Sequence, residues 1–153
     1  MYVIDASSLV QIREHFNHKE SEVAAALERI HALINAGQAG FPSCVVKNCK
    51  EFVPETYLAA WVLAVSGSVA VRDVPYEHQV SAVNRVPDLT DPDDQDDSAL
   101  QVVAYALSFQ QPGVTVVVVS EEQGTHPTRQ SLSEACAALS IECISMEEML
   151  ARI

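Results

Sequence analysis

Apolar positions along this chain recur with two spacings, and segments of the two kinds mostly alternate. Tyr2, Val3 and Ile4 form an unbroken β-forming run, the pattern of a strand buried on both faces. Residues 8–16 carry Leu9, Val10 and Ile12, enough for a short helix, with Ser7 and Ser8 as candidate N-caps. From Ser21 onward Val23, Leu27, Ile30 and Ile34 return at helical spacing, widened by Ala26 and Leu33, until Gly37 supplies the stop. Residues 41–46 read as a second strand, and the following text continues into a helix that carries Glu51. Pro54 suits the first turn of a helix through Leu58, Trp61, Val62 and Val65, ended by Gly67. Residues 68–74 alternate as a short strand, and Pro75 opens a helix through Val80 and Val83 that ends near Pro87.

The second half repeats the alternation. Leu100, Val103, Ala104 and Leu107 mark one face of a helix, and residues 114–119 are the strongest strand signal in the chain. That run is largely valine, as expected of a central parallel strand. Leu132, Ala135, Cys136 and Leu139 predict a helix, residues 141–144 a last strand and residues 146–153 a terminal helix. The expected fold is a single domain over residues 1–153, an α/β protein with a three-layer α/β/α sandwich and a mainly parallel central sheet. Residues 2–4 and 114–119 should be adjacent central strands, because such runs are buried only when helices cover both faces.

Composition narrows the classes. The apolar fraction of 48% belongs to a globular chain, and 153 residues suffice for one core. No window is long and apolar enough to span a bilayer, and no signal-type segment opens the chain, so a cytoplasmic protein without membrane contact is expected. Cys44, Cys49, Cys136 and Cys143 form no C-x-x-C and have no histidine at zinc spacing; they read as buried thiols, Cys44 and Cys143 in strand-like text. A formal net charge of -12 gives no general attraction for nucleic acid.

Acidic residues gather where strands end or helices begin. Asp5 closes the first strand, Glu51 follows the second, and Asp97 starts the helix of Leu100. Glu121 and Glu122 follow Ser120 at the end of the valine strand. In a parallel α/β sheet these positions share one edge, where ligands bind. Asp96 and Asp97 stand together at that last helix's N-terminus, and capping is the competing explanation for both and for Asp5. Clustered carboxylates repel one another unless hard cations neutralise them, which points to Mg²⁺ or Mn²⁺ and to phosphate chemistry. The run from Asp91 to Asp97 is not a calcium loop: the turn glycine would fall at Asp96 and the closing glutamate at Val102. Its leading half is expected to be a solvated loop.

Four segments in order resemble the PIN-domain nucleases. They are Val3, Ile4, Asp5, Ala6, Ser7, Ser8 and Leu9; residues 46–51 with Glu51; Asp97, Ser98, Ala99 and Leu100 running on to Ala106; and residues 116–120 followed by Glu121 and Glu122. The resemblance implies a PIN-like fold and a metal-dependent endoribonuclease, and many small members are VapC-like toxins held by a cognate antitoxin. It implies that Asp5, Glu51, Asp97 and Glu122 are catalytic, metal-site carboxylates, with Glu121 the competitor for the fourth place. Ser7 and Ser120 would orient them. The Glu-Glu pair departs from the family's neutral-then-Asp pair, and a longer side chain would move or weaken a second metal. Arg13, Lys47, Lys50, Arg72 and Arg85 are the candidates for RNA phosphates, or else ordinary solvated charges.

Other chemistries fit less well. The strands 41–46 and 114–119 lack the Asp and Lys of a phospho-accepting receiver domain. His15, His18, His31, His78 and His126 form no H-E-x-x-H, no nucleophile elbow is present, and the five glycines are scattered. The alternative function is a non-catalytic PIN-like protein-binding module. Tyr57, Leu58 and Trp61 lie in a helix rich in large apolar groups, expected to serve a homodimer or antitoxin interface or else the core.

Overall fold

The computed structural model describes residues 1–91, 93 and 96–153. Five strands make one all-parallel sheet: β1 (Tyr2–Ile4), β2 (Ala39–Pro42), β3 (Val71–Arg72), β4 (Val117–Val119) and β5 (Glu142–Ile144). Their order across the sheet is β3-β2-β1-β4-β5. The helices are α1 (Ala6–His15), α2 (Glu20–Asn35), α3 (Ser43–Phe52), α4 (Tyr57–Val65), α5 (Tyr76–Arg85), α6 (Ser98–Leu107), α7 (Leu132–Ala138) and α8 (Met146–Arg152). Helix α6 packs on β1, β2 and β4, together with α5 and α7, while α1, α2, α4 and α8 pack among themselves, with α2 on β2. The fold is therefore a three-layer α/β/α sandwich. No helix among the described residues is long and apolar enough to cross a membrane.

As expected from their valine and isoleucine content, β1 and β4 are adjacent and interior to the sheet, paired Tyr2 to Val117 through Ile4 to Val119. Val3, Ile4, Val118 and Val119 are fully buried, which only two helical layers achieve. The valine strand is shorter than its sequence, however. Only Val117–Val119 pair, because β1 and β5 on either side are three residues long, and Val114 is exposed. The alternating text of residues 68–74 likewise yields only Val71–Arg72.

Three boundaries move in ways that matter for the site. The strand expected over 41–46 ends at Pro42, and Val45, Val46 and Cys44 are helical. Proline has no N–H to continue a ladder, and burial of Val45 and Cys49 one turn apart on α3 overrides their β preference. Ser7 and Ser8 do not cap α1; Asp5 does, accepting the Ser7 amide. Pro54 lies outside α4, which starts after Thr56, whose Oγ1 accepts the Ala59 amide. Trp61 and Leu58 are buried in the core, and of the three residues considered for an interface only Tyr57 is exposed.

Gly40 in β2 is needed for space. A Cβ there would lie 2.5 Å from the Ala70 carbonyl oxygen and 2.6 Å from the Tyr105 hydroxyl, which itself donates to Ala70 O at 2.7 Å. Gly40→Ala should therefore destabilise the fold by about 2 kcal/mol, as overpacking does. Urea denaturation should show a smaller loss for Gly40→Ala in a Tyr105→Phe background, where one of the two clashing atoms is gone.

Candidate functional site

The chain leaves β1 for β2 and β3 on one side, then returns to β4 and β5 on the other. The order of strands thus reverses between β1 and β4, and a crevice opens outside the carboxyl ends at such a switch point. Asp5 follows β1 directly, and Ser120, Glu121 and Glu122 follow β4. The two strand ends are stitched together. Ser7 Oγ donates to Asp5 Oδ2 at 2.5 Å and Ser120 Oγ donates to the same oxygen at 3.2 Å. The Glu121 amide donates to Ser7 Oγ at 3.1 Å and the Glu122 amide to Ser120 Oγ at 3.1 Å.

Asp5 is only 8% exposed. Burial pushes its carboxyl above the ordinary aspartate value, more than the hydrogen bonds from Ser7, Ala6 and Ser120 pull it down. It opens on a cleft of about 200 Å³ that Asn48, Phe52, Asp96, Ser98, Glu122 and Arg129 also line. Asn48 and Phe52 are four residues apart on α3 and so share a face. Asn48 Nδ2 donates to Ser98 Oγ at 2.8 Å, which ties α3 to the start of α6. Phe52 is 59% exposed, an aromatic face beside the acids.

The expected carboxylates are not all brought together. Glu122 lines the cleft, but its two oxygens accept from Arg129 at 2.6 and 3.0 Å, and Oε1 also accepts the Leu132 amide at 3.1 Å. Glu121 turns away: its Oε1 accepts the Met146 amide at the start of α8 at 2.7 Å and the Ser8 hydroxyl at 3.3 Å. Glu51 and Asp97 line an adjoining groove of about 450 Å³ with Cys44, Lys47, Asn48 and Asp96. Glu51 stands well past the end of β2. Helix α3 starts at Ser43, so Glu51 lies about 13 Å along it from Pro42 at 1.5 Å per residue. Its side chain is 59% exposed and lies 3.9 Å from Lys47. Asp97 precedes α6 without capping it and accepts instead from Gln101 Nε2 at 3.0 Å. Asp96 has the place expected of Asp97: it lines the Asp5 cleft, and its Oδ1 accepts the Ser98 amide at 2.9 Å.

Both grooves are electronegative. Burial, then Asp5, Asp97 and Asp96, push the Cys44 thiol up to about 12, and burial and Asp5 do the same to Cys49. Both therefore stay protonated at neutral pH and are poor nucleophiles. All four cysteines are free; Cys49 and Cys136 are buried, Cys44 and Cys143 half-buried. A larger groove of about 580 Å³ lies beyond Lys47 and Glu51, lined also by Ser43, Lys50, Ser66 and Val71.

Among the described residues no three Asp, Glu, His or Cys side chains are grouped closely enough to hold a metal ion by themselves. Pro92, Asp94 and Gln95 of the acidic run lie outside the described residues; of its leading half, expected to be a solvated loop, Asp91 is half-buried and Asp93 exposed. The donor chemistry of the cleft nevertheless suits a hard cation: Asp5, Asp96, Ser7 and Ser98 offer oxygen, and Asp5 is a carboxylate whose burial disfavours its charge. Mg²⁺ commonly binds through one or two carboxylates, with water and substrate phosphate completing its shell. Arg129 and Asn48 carry no signal in the sequence; Asp96 stands beside Asp97 at the start of the helix pattern.

The Asp5 carboxyl sets a pH dependence. Its folded pKa lies above its unfolded one, so the native state holds more protons in that window and stability falls as pH rises through it. Asp5→Asn keeps an oxygen for Ser7 and Ser120 but cannot ionise. The variant should melt at a higher temperature than the wild type at neutral pH without metal, and the gap should close below the ordinary aspartate value of 3.8. Calorimetry between pH 3 and 8 checks this over roughly the titration range of Asp and Glu.

A family model described as a domain of unknown function, DUF4411, matches residues 2–153 of the chain. No curated protein matches it.

Proposed function

The chain belongs to the DUF4411 family, and we propose that it is a divalent-metal-dependent nuclease that hydrolyses RNA phosphodiester bonds. The position of Asp5 carries this reading: a desolvated carboxylate at the switch point of a parallel sheet, sharing its cleft with Asp96. Asp5 and Asp96 would hold a Mg²⁺ or Mn²⁺ ion. Such an ion supplies Lewis acidity toward a phosphate and a water of lowered pKa. Ser7 and Ser120 keep the Asp5 carboxylate in one orientation from both strand ends. Phe52 offers a face on which a base stacks, and Lys47 and Lys50 line the groove beyond it, within reach of a nucleic-acid backbone. No side-chain nucleophile is required, in keeping with protonated Cys44 and Cys49.

The preference for RNA, and a role as a VapC-like toxin restrained by a cognate antitoxin or working as a homodimer, rest on the PIN-like order of the acids alone. A second reading, a non-catalytic protein-binding module, is favoured by one observation: Glu51 and Asp97 line the adjoining groove rather than the cleft at Asp5, and Glu122 is already paired.

Incubation of the chain with mixed RNA and Mg²⁺ or Mn²⁺ separates the two. Cleavage should appear, stop with EDTA, and fall by about 100-fold or more in Asp5→Asn, the loss typical of removing a principal electrostatic group. Asp96→Asn should lower it more than Asp97→Asn. Loss of Asp91 or Asp93 should change it little. Cleavage that survives EDTA and Asp5→Asn would refute the metal mechanism, and no cleavage with either ion would count against the nuclease reading and in favour of the binding module.

A further inference from the structure

We propose that Arg129 is the built-in cation of this cleft, so that the site takes one divalent ion and Glu122 is not among its ligands. This rests on the metal reading of the cleft given above. The Arg129 guanidinium grips both Glu122 oxygens, at 2.6 and 3.0 Å, and its Nη1 also donates to the Gln130 carbonyl at 2.9 Å. The third bond fixes the plane of the fork. The Leu132 amide, at the start of α7, completes the shell of Glu122 Oε1 at 3.1 Å.

The Arg129 and Glu122 side chains are only 15% and 24% exposed, so water screens the pair little. A two-point fork of this kind is among the stronger and more directional polar contacts in proteins. Oε1 is taken by Arg129 and the Leu132 amide, and Oε2 by Arg129. A metal ion would take Glu122 as a two-oxygen ligand by opening the fork and leaving a part-buried guanidinium without its counter-charge, the costly way to break such a pair. At the remaining Oε2 lone pair it would meet a carboxylate that Arg129 already neutralises. Removing one acid from the ligand set also removes the need for a second ion. Clustered carboxylates demand positive charge, and Arg129 supplies it permanently beside Asp5 and Asp96, both of which add to the stabilisation of its charge.

The test counts Mn²⁺ bound by the full chain, by electron paramagnetic resonance and titration calorimetry. Wild type should bind one ion per chain. Glu122→Gln, whose amide oxygen still accepts from Arg129 and Leu132, should bind one ion with affinity changed by less than about tenfold, no more than the mildest loss seen for groups outside a metal's own ligands. Asp5→Asn should lose more than about 100-fold, beyond the range of such outer groups. Arg129→Gln, which frees Glu122, should bind a second ion. Two ions on the wild type, or loss of the ion in Glu122→Gln, overturns this inference and leaves the metal reading of the cleft standing. No Mn²⁺ on the wild type overturns both.

Discussion

The carboxyl group of Asp5 is held nearly out of water at the point where β1 and β4 both end, and much of the surrounding structure serves to orient it there. Burial penalises the ionised form, and the donors aimed at it offset that penalty only in part. The hydroxyls of Ser7 and Ser120 converge on Oδ2, and the amides of Glu121 and Glu122 lock those hydroxyls in turn. Because Ser7 belongs to α1 and Ser120 follows β4, the same bonds that orient Asp5 also fasten the two halves of the sheet. Capping and chemistry are therefore not alternatives at this residue: Asp5 starts α1 and lines the cleft with one side chain.

Charge balance explains the second layer. In a chain of net charge -12, Arg129 reaches the cleft lined by buried Asp5, half-buried Glu122 and exposed Asp96. It does so from the loop before α7, where no periodic pattern constrains the sequence. The paired glutamates after β4 divide their work. Glu121 satisfies an amide at the start of α8, one of the groups a helix terminus always leaves open, whereas Glu122 meets Arg129.

Helix α3 decides which side chains face the cleft. By starting at Ser43, immediately after Pro42, it presents Asn48 and Phe52 to Asp5 and carries Glu51 past the sheet edge toward Lys47. The consequence is a cleft with an aromatic wall and fewer acids than the order of the sequence implies. Lys47 and Lys50 are left on the far side of the same helix, lining the next groove.

The sequence alone determined the layers of this protein. Runs of Tyr, Val and Ile separated by helical stripes can be buried only in a parallel sheet covered on both faces, and β1 beside β4 follows from having the most buried composition. It also determined that Asp5 would stand at the carboxyl-terminal edge of the sheet, since a residue that ends a parallel strand has no other place to be. Tertiary structure alone decided which acids share a cleft. Each residue along a helix turns its side chain by about 100°, so a shift of a few residues in where α3 begins moves Glu51 to another groove. The same sensitivity exchanges Asp97 for Asp96 at the entry to α6. Arg129 had no signature to read, because its partner is chosen by the path of a loop, and loops are placed by what they pack against rather than by any period in their sequence.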